Sequence, residues 1–168
     1  MTAAPTLHTD RLTLRHHRLE DFEPMATHFA TDWAQYMGGP LGQEKMWLWL
    51  AAEVGSWSLL GHGSWAVDLT ATGETIGQVG INKPVHFPEV EIGWLLYPGF
   101  EGHGYAFEAA TAARAWAFEN GHDTLVSYID PPNARSIALA ERLGAVLDKD
   151  ADKPDPDDLV YRHNRRAA

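Results

Sequence analysis

The chain has 168 residues, of which 45% are hydrophobic and 21% charged, and its formal net charge is −10 at pH 7. This length provides one domain with a proper core and is too short for two ordinary domains, so a single domain over residues 1–168 is predicted. The negative charge argues against a nucleic-acid backbone as the main partner. It is compatible with a cationic partner such as an amine, and equally with a charge that only keeps the protein soluble.

Neither a membrane segment nor a secretory signal is indicated. No apolar run approaches the roughly 20 residues that a membrane helix needs, and the first ten residues lack a basic region followed by an apolar one. A cytoplasmic protein with no membrane partner is therefore expected. The chain contains no cysteine, which excludes disulfides and a thiol nucleophile, and its nine histidines show no metal-ligand spacing, so no metal is expected.

The first half of the chain predicts two helices and an antiparallel meander. Hydrophobic spacing and turn residues indicate, in order, a strand at 11–16, a helix at 19–31, a helix at 43–60, strands at 64–69 and 75–82 joined as a hairpin, and a strand at 89–97. The two helices are separated by the Gly38-Gly39-Pro40 break.

The second half predicts a crossover that makes two strands parallel. An alanine-rich helix is expected at 104–120 and a strand at 124–129, followed by a helix that Asn133 caps and that ends near Leu143. Strands at 146–148 and 159–163 complete the sheet, and the aspartate- and proline-rich stretch 150–158 is interpreted as a solvated loop. A strand, a helix and a second strand in this order form a crossover connection.

A glycine-rich turn, Gly99-Phe100-Glu101-Gly102-His103-Gly104-Tyr105-Ala106, lies between a strand and the alanine-rich helix. Glycines allow a close approach of the backbone, and a helix N-terminus favours a diphosphate or a similar anion. A P-loop would need a lysine and a hydroxyl that are absent here. A dinucleotide fingerprint would need glycine where Phe107 stands. A tight turn with only a structural role remains an alternative.

Three segments between Glu89 and Ala145 resemble motifs of the GNAT acetyltransferases, and within them of the branch that includes RimJ and RimL. These segments are the strand Glu91-Ile92-Gly93-Trp94-Leu95-Leu96, similar to the bulged fourth strand of the family; the run Glu101-Gly102-His103-Gly104-Tyr105-Ala106, similar to the pyrophosphate loop; and Asn133-Ala134-Arg135-Ser136 with Leu139 to Ala145, similar to the second cofactor motif. The N-terminal half matches more loosely, through Asp10 to Arg15 and the Thr72 to Gly77 hairpin.

The resemblance implies a fold, a co-substrate and the residues that bind it. The fold class expected is α/β (α+β), a mixed and mostly antiparallel sheet of about seven strands with one parallel βαβ crossover, flanked by about four helices. Acetyl-CoA is the implied co-substrate, with its pantetheine arm between splayed parallel strands. The implied cofactor-binding residues are Trp94, Leu95, Leu96, Glu101, Gly102, His103, Gly104, Tyr105, Ala106, Asn133 and Ser136. Asn133 could instead serve only as a helix cap.

Two positions depart from the pattern of the family. Glu101 stands where the family has glutamine or arginine, and a carboxylate beside a diphosphate is unfavourable unless it points to solvent. His103 and Arg135 are nearby cations that could compensate. Many relatives use a tyrosine at the position of Ala140 as the acid for the leaving thiolate. Ser136 is the candidate substitute, although it could equally be a cofactor contact or a helix-turn hydroxyl.

Glu91 is the candidate base, because an amine is mostly protonated at neutral pH and must lose a proton before it attacks. On an alternating strand Glu91 shares a face with Gly93 and Leu95, whereas Ile92 and Trp94 lie on the other face. The alternative is a surface or structural carboxylate.

Acceptor recognition is assigned to the aromatic residues of the N-terminal half, which in this family forms one wall of the acceptor site. The candidates are Trp33, Tyr36 and Trp47, since aromatic faces bind cationic amines; the alternative is that they are core residues. Trp47 and Trp49 cannot share one helical face, so one of them is expected to line a cleft or an oligomer contact. Homodimer formation is left open.

The function implied is an acetyl-CoA-dependent N-acetyltransferase that transfers the acetyl group to a primary amine, either a protein N-terminus or a small amine. Transfer by direct attack in a ternary complex is expected, because without cysteine an acetyl-thiol enzyme cannot form. The missing tyrosine and Glu101 also fit a non-catalytic acyl-CoA-binding or sensing domain. An enzyme that acetylates aminoacyl-tRNA would need a basic face, which this acidic chain lacks.

Overall fold

A computed structural model describes residues 3–165, which form an eight-stranded sheet with helices on both faces. The elements are, in chain order, β1 (Leu7–His8), β2 (Leu12–Arg15), α1 (Phe22–Phe29), α2 (Gln43–Leu60), β3 (Ser64–Leu69), β4 (Thr75–Asn82), β5 (Glu91–Leu96), α3 (Tyr105–Glu119), β6 (Thr124–Ile129), α4 (Ala134–Arg142), β7 (Val146–Leu147) and β8 (Leu159–Asn164). Among the described residues, no helix combines the length and the apolarity needed to cross a bilayer.

The strands follow the order β1-β2-β3-β4-β5-β6-β8-β7, and all neighbours are antiparallel except β5 and β6. The predicted fold class, a mixed and mostly antiparallel sheet with one parallel crossover, is therefore confirmed. The eighth strand is β1, where Leu7 pairs with Leu14 and His8 with Thr13. Two residues are too few for an alternating pattern, so this strand could not be predicted.

The helix predicted at 19–31 is shorter in the structure. A 3₁₀ turn, Leu19–Asp21, precedes α1, and α1 ends at Phe29. The carboxylate of Asp21 accepts a hydrogen bond from the backbone amide of Arg18 at 2.9 Å, which holds the tight turn in place. The helix predicted at 43–60 is observed with those bounds, as are the strands predicted at 64–69, 75–82 and 124–129.

An ionic cluster ties β2, β3 and the turn before α1 together. The guanidinium of Arg15 donates to Asp68 Oδ2 at 2.6 Å and to Asp21 Oδ1 at 2.8 Å. Burial alone would raise the pKa of Asp21, but hydrogen bonds from Arg15, His17 and the Arg18 amide outweigh it and hold this pKa well below its usual value. The cluster therefore fixes the start of α1 against the sheet.

The residues of β5 alternate between the two faces of the sheet. Ile92, Trp94 and Leu96 pack against the core that α3 covers, whereas Leu95 packs against the core formed by α1 and α2. The predicted division of this strand is confirmed, and it places Glu91 and Gly93 on the α1/α2 face.

Candidate active site

The parallel strands β5 and β6 separate after a single paired position. Glu91 lies opposite Val126, whose amide donates to the carbonyl of Val90 at 3.0 Å. At the next residue of each strand, the side-chain hydroxyl of Ser127 donates to the carbonyl of Ile92 at 2.7 Å. A side-chain hydrogen bond therefore stands where a backbone hydrogen bond between the strands would be expected. Within residues 3–165 no further β5–β6 pair follows. The second half of β5, Trp94 to Leu96, thus faces a slot between the strands.

The glycine turn presents the N-terminus of α3 at the end of this slot. Gly99, Gly102 and Gly104 have φ of 95°, 81° and 80°, in the left-handed region that favours glycine. Tyr105 and Ala106 are the first residues of α3, and the amides of a first helical turn have no partner inside the helix. Such amides, together with the positive end of the helix dipole, form an anion-binding site.

A cation from β1–β2 holds the turn from outside. Arg11 Nη1 donates to the carbonyl of His103 at 3.0 Å, and its guanidinium lies 4.6 Å from the ring centroid of Tyr105. Glu108, in the first turn of α3, accepts from Arg11 Nε at 2.7 Å and from Thr9 Oγ1 at 2.6 Å. Arg11 was not singled out from the sequence as a site residue, although it stands in the Asp10 to Arg15 stretch that resembles the family.

Glu101 turns its carboxylate back into its own loop. Its Oε2 accepts a hydrogen bond from the backbone amide of Gly99 at 2.8 Å, and its Oε1 lies 3.6 Å from Arg135 Nη1. Hydrogen bonds from its own amide and from Gly99, with Arg135 nearby, hold the pKa of Glu101 below its ordinary value. Of the two cations that the sequence offered to compensate the charge of Glu101, Arg135 is the one that lies beside its carboxylate. The imidazole of His103 is exposed and lies beside the ring of Tyr105 at 5.6 Å.

The start of α4 lies across the slot from β5. Asn133 Oδ1 accepts a hydrogen bond from the amide of Ser136 at 3.2 Å, which confirms the predicted cap. The hydroxyl of Ser136 accepts from Trp94 Nε1 at 3.3 Å, so two predicted cofactor residues are brought together. Ala140 is fully buried against Tyr161, whose hydroxyl donates to Glu141 Oε1 at 3.2 Å.

The carboxylate of Glu91 faces the open space above Gly93. A Cβ atom built on Gly93 would meet the Glu91 carboxyl group first, at 3.7 Å from its Cδ and Oε2 atoms. Burial raises the pKa of Glu91 to about 8; a hydrogen bond from the Tyr128 amide opposes this rise, and the charges of Asp158 and Glu53 add to it. Such a group is a stronger base than an ordinary carboxylate.

Glu53 of α2 is a buried carboxylate on the same face of the sheet as Glu91. Its Oε1 accepts from Trp49 Nε1 at 2.7 Å and from Gln78 Nε2 at 3.0 Å. Sequence reasoning missed Glu53 and Gln78. A signal was present, because Glu53 is a carboxylate four residues after Trp49 and four before Trp57, on the buried side of an otherwise apolar helix.

The three aromatic residues predicted for acceptor binding lie in different surroundings. Trp33 and Tyr36 belong to a 3₁₀ turn, Asp32–Met37, between α1 and α2. Trp33 packs in the α1/α2 core, whereas Tyr36 is exposed, with its hydroxyl 3.5 Å from the carbonyl of Pro132 at the start of α4. Trp47 is half exposed, packs against Phe22 and lies on a different face of α2 from Glu53.

Comparison with known proteins agrees with this geometry. The family described as "Acetyltransferase (GNAT) domain" matches residues 11–146. An acetyltransferase from Agrobacterium tumefaciens str. C58 is 48% identical, with a TM-score of 0.94 over 97% of this chain and 96% of its own. The uncharacterized protein YkkB of Bacillus subtilis is 31% identical over 173 residues, 96% of each chain.

The fold is also shared with the microcin C7 self-immunity acetyltransferase MccE, whose structure was solved in complex with acetyl-CoA and AMP. That protein is 17% identical, with a TM-score of 0.76 over 98% of this chain and 99% of its own. The family match, which spans most of the sequence, together with the splayed strands and the glycine turn, shows that this chain belongs to the GNAT acetyltransferase family.

Proposed function

We propose that this protein is an acetyl-CoA-dependent N-acetyltransferase whose acceptor is a primary amine, either a protein N-terminus or a small amine. The observation that carries the proposal is the position of Glu91, a carboxylate with a raised pKa, beside the open space above Gly93 and at the point where β5 and β6 separate. A base is needed there because the attacking amine must first lose a proton.

The co-substrate would be bound by the slot and by the turn. Amides at the start of α3 would hold the pyrophosphate, with the Arg11 guanidinium at its edge. The unpaired side of Trp94 to Leu96 would hydrogen-bond the amide-rich pantetheine arm as an added strand does. Asn133 and Ser136 border the same slot from α4. All of these groups belong to the chain itself, and none requires a metal.

Acyl transfer would follow in one ternary complex. Glu91 takes a proton from the acceptor ammonium, and the nitrogen lone pair forms a bond to the thioester carbonyl carbon. A backbone amide of the Trp94 to Leu96 stretch stabilises the oxyanion. As the carbon–sulfur bond breaks, Ser136, directly or through water, delivers its proton to the thiolate and regains one from the nitrogen, which thereby loses its second proton. Glu91 then releases the first proton to solvent. A thiol with a pKa of about 8.5 needs only a modest acid. The products are an amide and free coenzyme A.

Placement within the RimJ/RimL-like branch and a cytoplasmic location are parts of this proposal. The branch is supported by the motif resemblance over the second half of the chain. The acidic composition also supports an acceptor that is not a nucleic acid.

Thiol release from acetyl-CoA with a panel of amines tests the proposal, with products identified by mass spectrometry. We expect Glu91→Gln to lower kcat by about 10²- to 10⁴-fold, the usual contribution of a general base, while calorimetric affinity for coenzyme A stays the same. The matched control is Glu74→Gln, an exposed carboxylate in the β3–β4 turn. Tight coenzyme A binding without turnover on any amine would instead support the sensing domain.

A further inference from the structure

The α1/α2 face of the sheet carries a trough along β4 and β5. Gln78 pairs with Leu95, Gly80 with Gly93, and Asn82 with Glu91. Residues two apart on a strand share a face, so these three cross-strand pairs lie on one face of the sheet. The pair of glycines lies between the pair that contains Gln78 and the pair that contains Glu91. A Cβ atom added to Gly93 would meet the Glu91 carboxyl group first, at 3.7 Å, whereas the Ser64 and Asn82 side chains fill the space above Gly80. The open part of the trough therefore lies along β5, and polar groups stand at both of its ends.

Glu53 reaches the Gln78 end of the trough from α2. The Trp49 indole and the Gln78 amide nitrogen both donate hydrogen bonds to the same carboxylate oxygen of Glu53, Oε1. The other end of the same Gln78 side chain, its carbonyl Oε1, is buried without a hydrogen-bond partner in the described chain. Gln78 and Glu53 are 7% and 8% exposed.

The missing partner must be a donor, and it must tolerate negative surroundings. Two carboxylates already stand along the trough, Glu53 at the Gln78 end and Glu91 at the other end. An ammonium group supplies three N–H donors, no acceptor and a positive charge. It would satisfy the Gln78 carbonyl and pair with the Glu53 carboxylate.

We propose that Glu53 and Gln78 form a cation-binding subsite, which holds the second ammonium group of a diamine acceptor while the first amine lies above Gly93. This inference rests on the proposed function and specifies its acceptor class. The pair that contains Gly93 and the pair that contains Gln78 are two residues apart, which is about 7 Å along the strand. A chain of about four or five methylene groups between the two amines spans this distance.

The first test compares 1,5-diaminopentane with n-pentylamine, which has the same carbon chain and lacks the second charge. For the wild-type protein we expect kcat/KM to be at least about tenfold higher with the diamine, corresponding to about 1.4 kcal/mol. Equal kcat/KM values for the two amines would overturn the inference.

Glu53→Gln then separates a specificity role from a structural one. The variant retains an oxygen that can accept from Trp49 and Gln78, but it loses the charge, so the diamine-to-monoamine ratio should fall towards one. Gln78→Leu, which keeps Glu53, should lower the same ratio. Glu44→Gln, an exposed carboxylate in the first turn of α2, is the matched control and should leave the ratio unchanged. An unchanged ratio in a folded Glu53→Gln protein contradicts the subsite.

Failure of the proposed function gives a different result. If no amine is acetylated, the proposed function is wrong, and the subsite is decided by calorimetric binding of the same two amines to the protein loaded with coenzyme A. Tighter binding of the diamine that Glu53→Gln abolishes supports the subsite, and equal binding overturns it. Melting temperatures of all variants identify any protein that fails to fold.

Discussion

The carboxylate of Glu101 accepts a hydrogen bond from the backbone amide of Gly99 at 2.8 Å, so an anionic side chain already lies in the turn where the coenzyme diphosphate is expected. A ligand phosphate entering this turn meets a like charge at close range. Arg135 offsets part of it, but that pair is solvent-exposed, and exposed pairs contribute little.

Glu101→Gln should therefore strengthen binding of acetyl-CoA. We expect its KM for acetyl-CoA to fall about fivefold, since two like charges about 4 Å apart in water repel by about 1 kcal/mol. The gain should shrink at high salt, because exposed charges are screened. Steady-state kinetics at two ionic strengths measure both effects, with Glu119→Gln at the exposed end of α3 as the control. An unchanged or higher KM would show that Glu101 supports the turn more than it repels the ligand.

Arg11 is expected to act on the turn in the opposite direction. Arg11→Met removes the hydrogen bond to the His103 carbonyl and the positive charge beside α3, so the KM for acetyl-CoA should rise about tenfold, or about 1.4 kcal/mol. Stability should change by about 1 kcal/mol or less, because the pair with Glu108 is partly exposed. Arg18→Met, at an exposed arginine paired with Glu20, is the control. A lowered melting temperature with an unchanged KM would assign Arg11 a purely structural role.

The pH dependence of the reaction should report Glu91. Its carboxyl group must be ionised to accept a proton, and burial raises its pKa to about 8. We expect kcat/KM for an amine acceptor to rise with pH and to level off above about 8, as the base becomes available. Glu91→Gln should remove this limb of the profile along with most of the activity. If kcat/KM of the wild-type protein did not change between about pH 6 and about pH 9, Glu91 would not be the base.

The same group should also affect stability. In the folded state the pKa of Glu91 is raised above the ordinary glutamate value of 4.5, so the stability contributed by its protonated form is complete below 4.5 and is lost as pH rises through about 8. The stability of the wild-type protein relative to Glu91→Gln should therefore fall over this window. Urea unfolding at pH values on both sides of the window measures the difference. A constant difference across the window would show that burial does not raise this pKa.

Asp21→Asn should be strongly destabilising. The substitution removes one carboxylate of a buried ion cluster and leaves Asp68 as the remaining carboxylate bonded to the Arg15 guanidinium, and losing a hydrogen bond between charged groups costs about 1.5–3 kcal/mol. Because the folded pKa of Asp21 is depressed, its contribution is present above the unfolded value of about 3.8 and is lost as pH falls through the lower folded value.

Urea unfolding of Asp21→Asn at neutral pH measures this loss, with Glu23→Gln, an exposed carboxylate in the first turn of α1, as the control. Acid titration of stability should be steeper for the wild-type protein than for the variant. Equal stability of the two proteins would show that Arg15 and Asp68 suffice to anchor the turn.

Local sequence signals are enough to predict most helices and strands and the motifs of the expected coenzyme site. The helix at 43–60 and the strands at 64–69, 75–82 and 124–129 were predictable because their hydrophobic period and their turn residues are local signals. The glycine turn and the Asn133 cap were predictable for the same reason, since φ preferences and cap hydrogen bonds involve residues close in sequence.

Contacts between groups that are far apart in the sequence follow only from the way the chain folds. Arg11 contacts the carbonyl of His103, 92 residues later, and Glu53 meets Gln78, 25 residues later. No periodicity encodes such pairs, because they depend on how the sheet stacks against α2 and α3. The raised pKa of Glu91 likewise depends on desolvation and on charges supplied by other elements, so a strand glutamate became a candidate base only once its surroundings were in place.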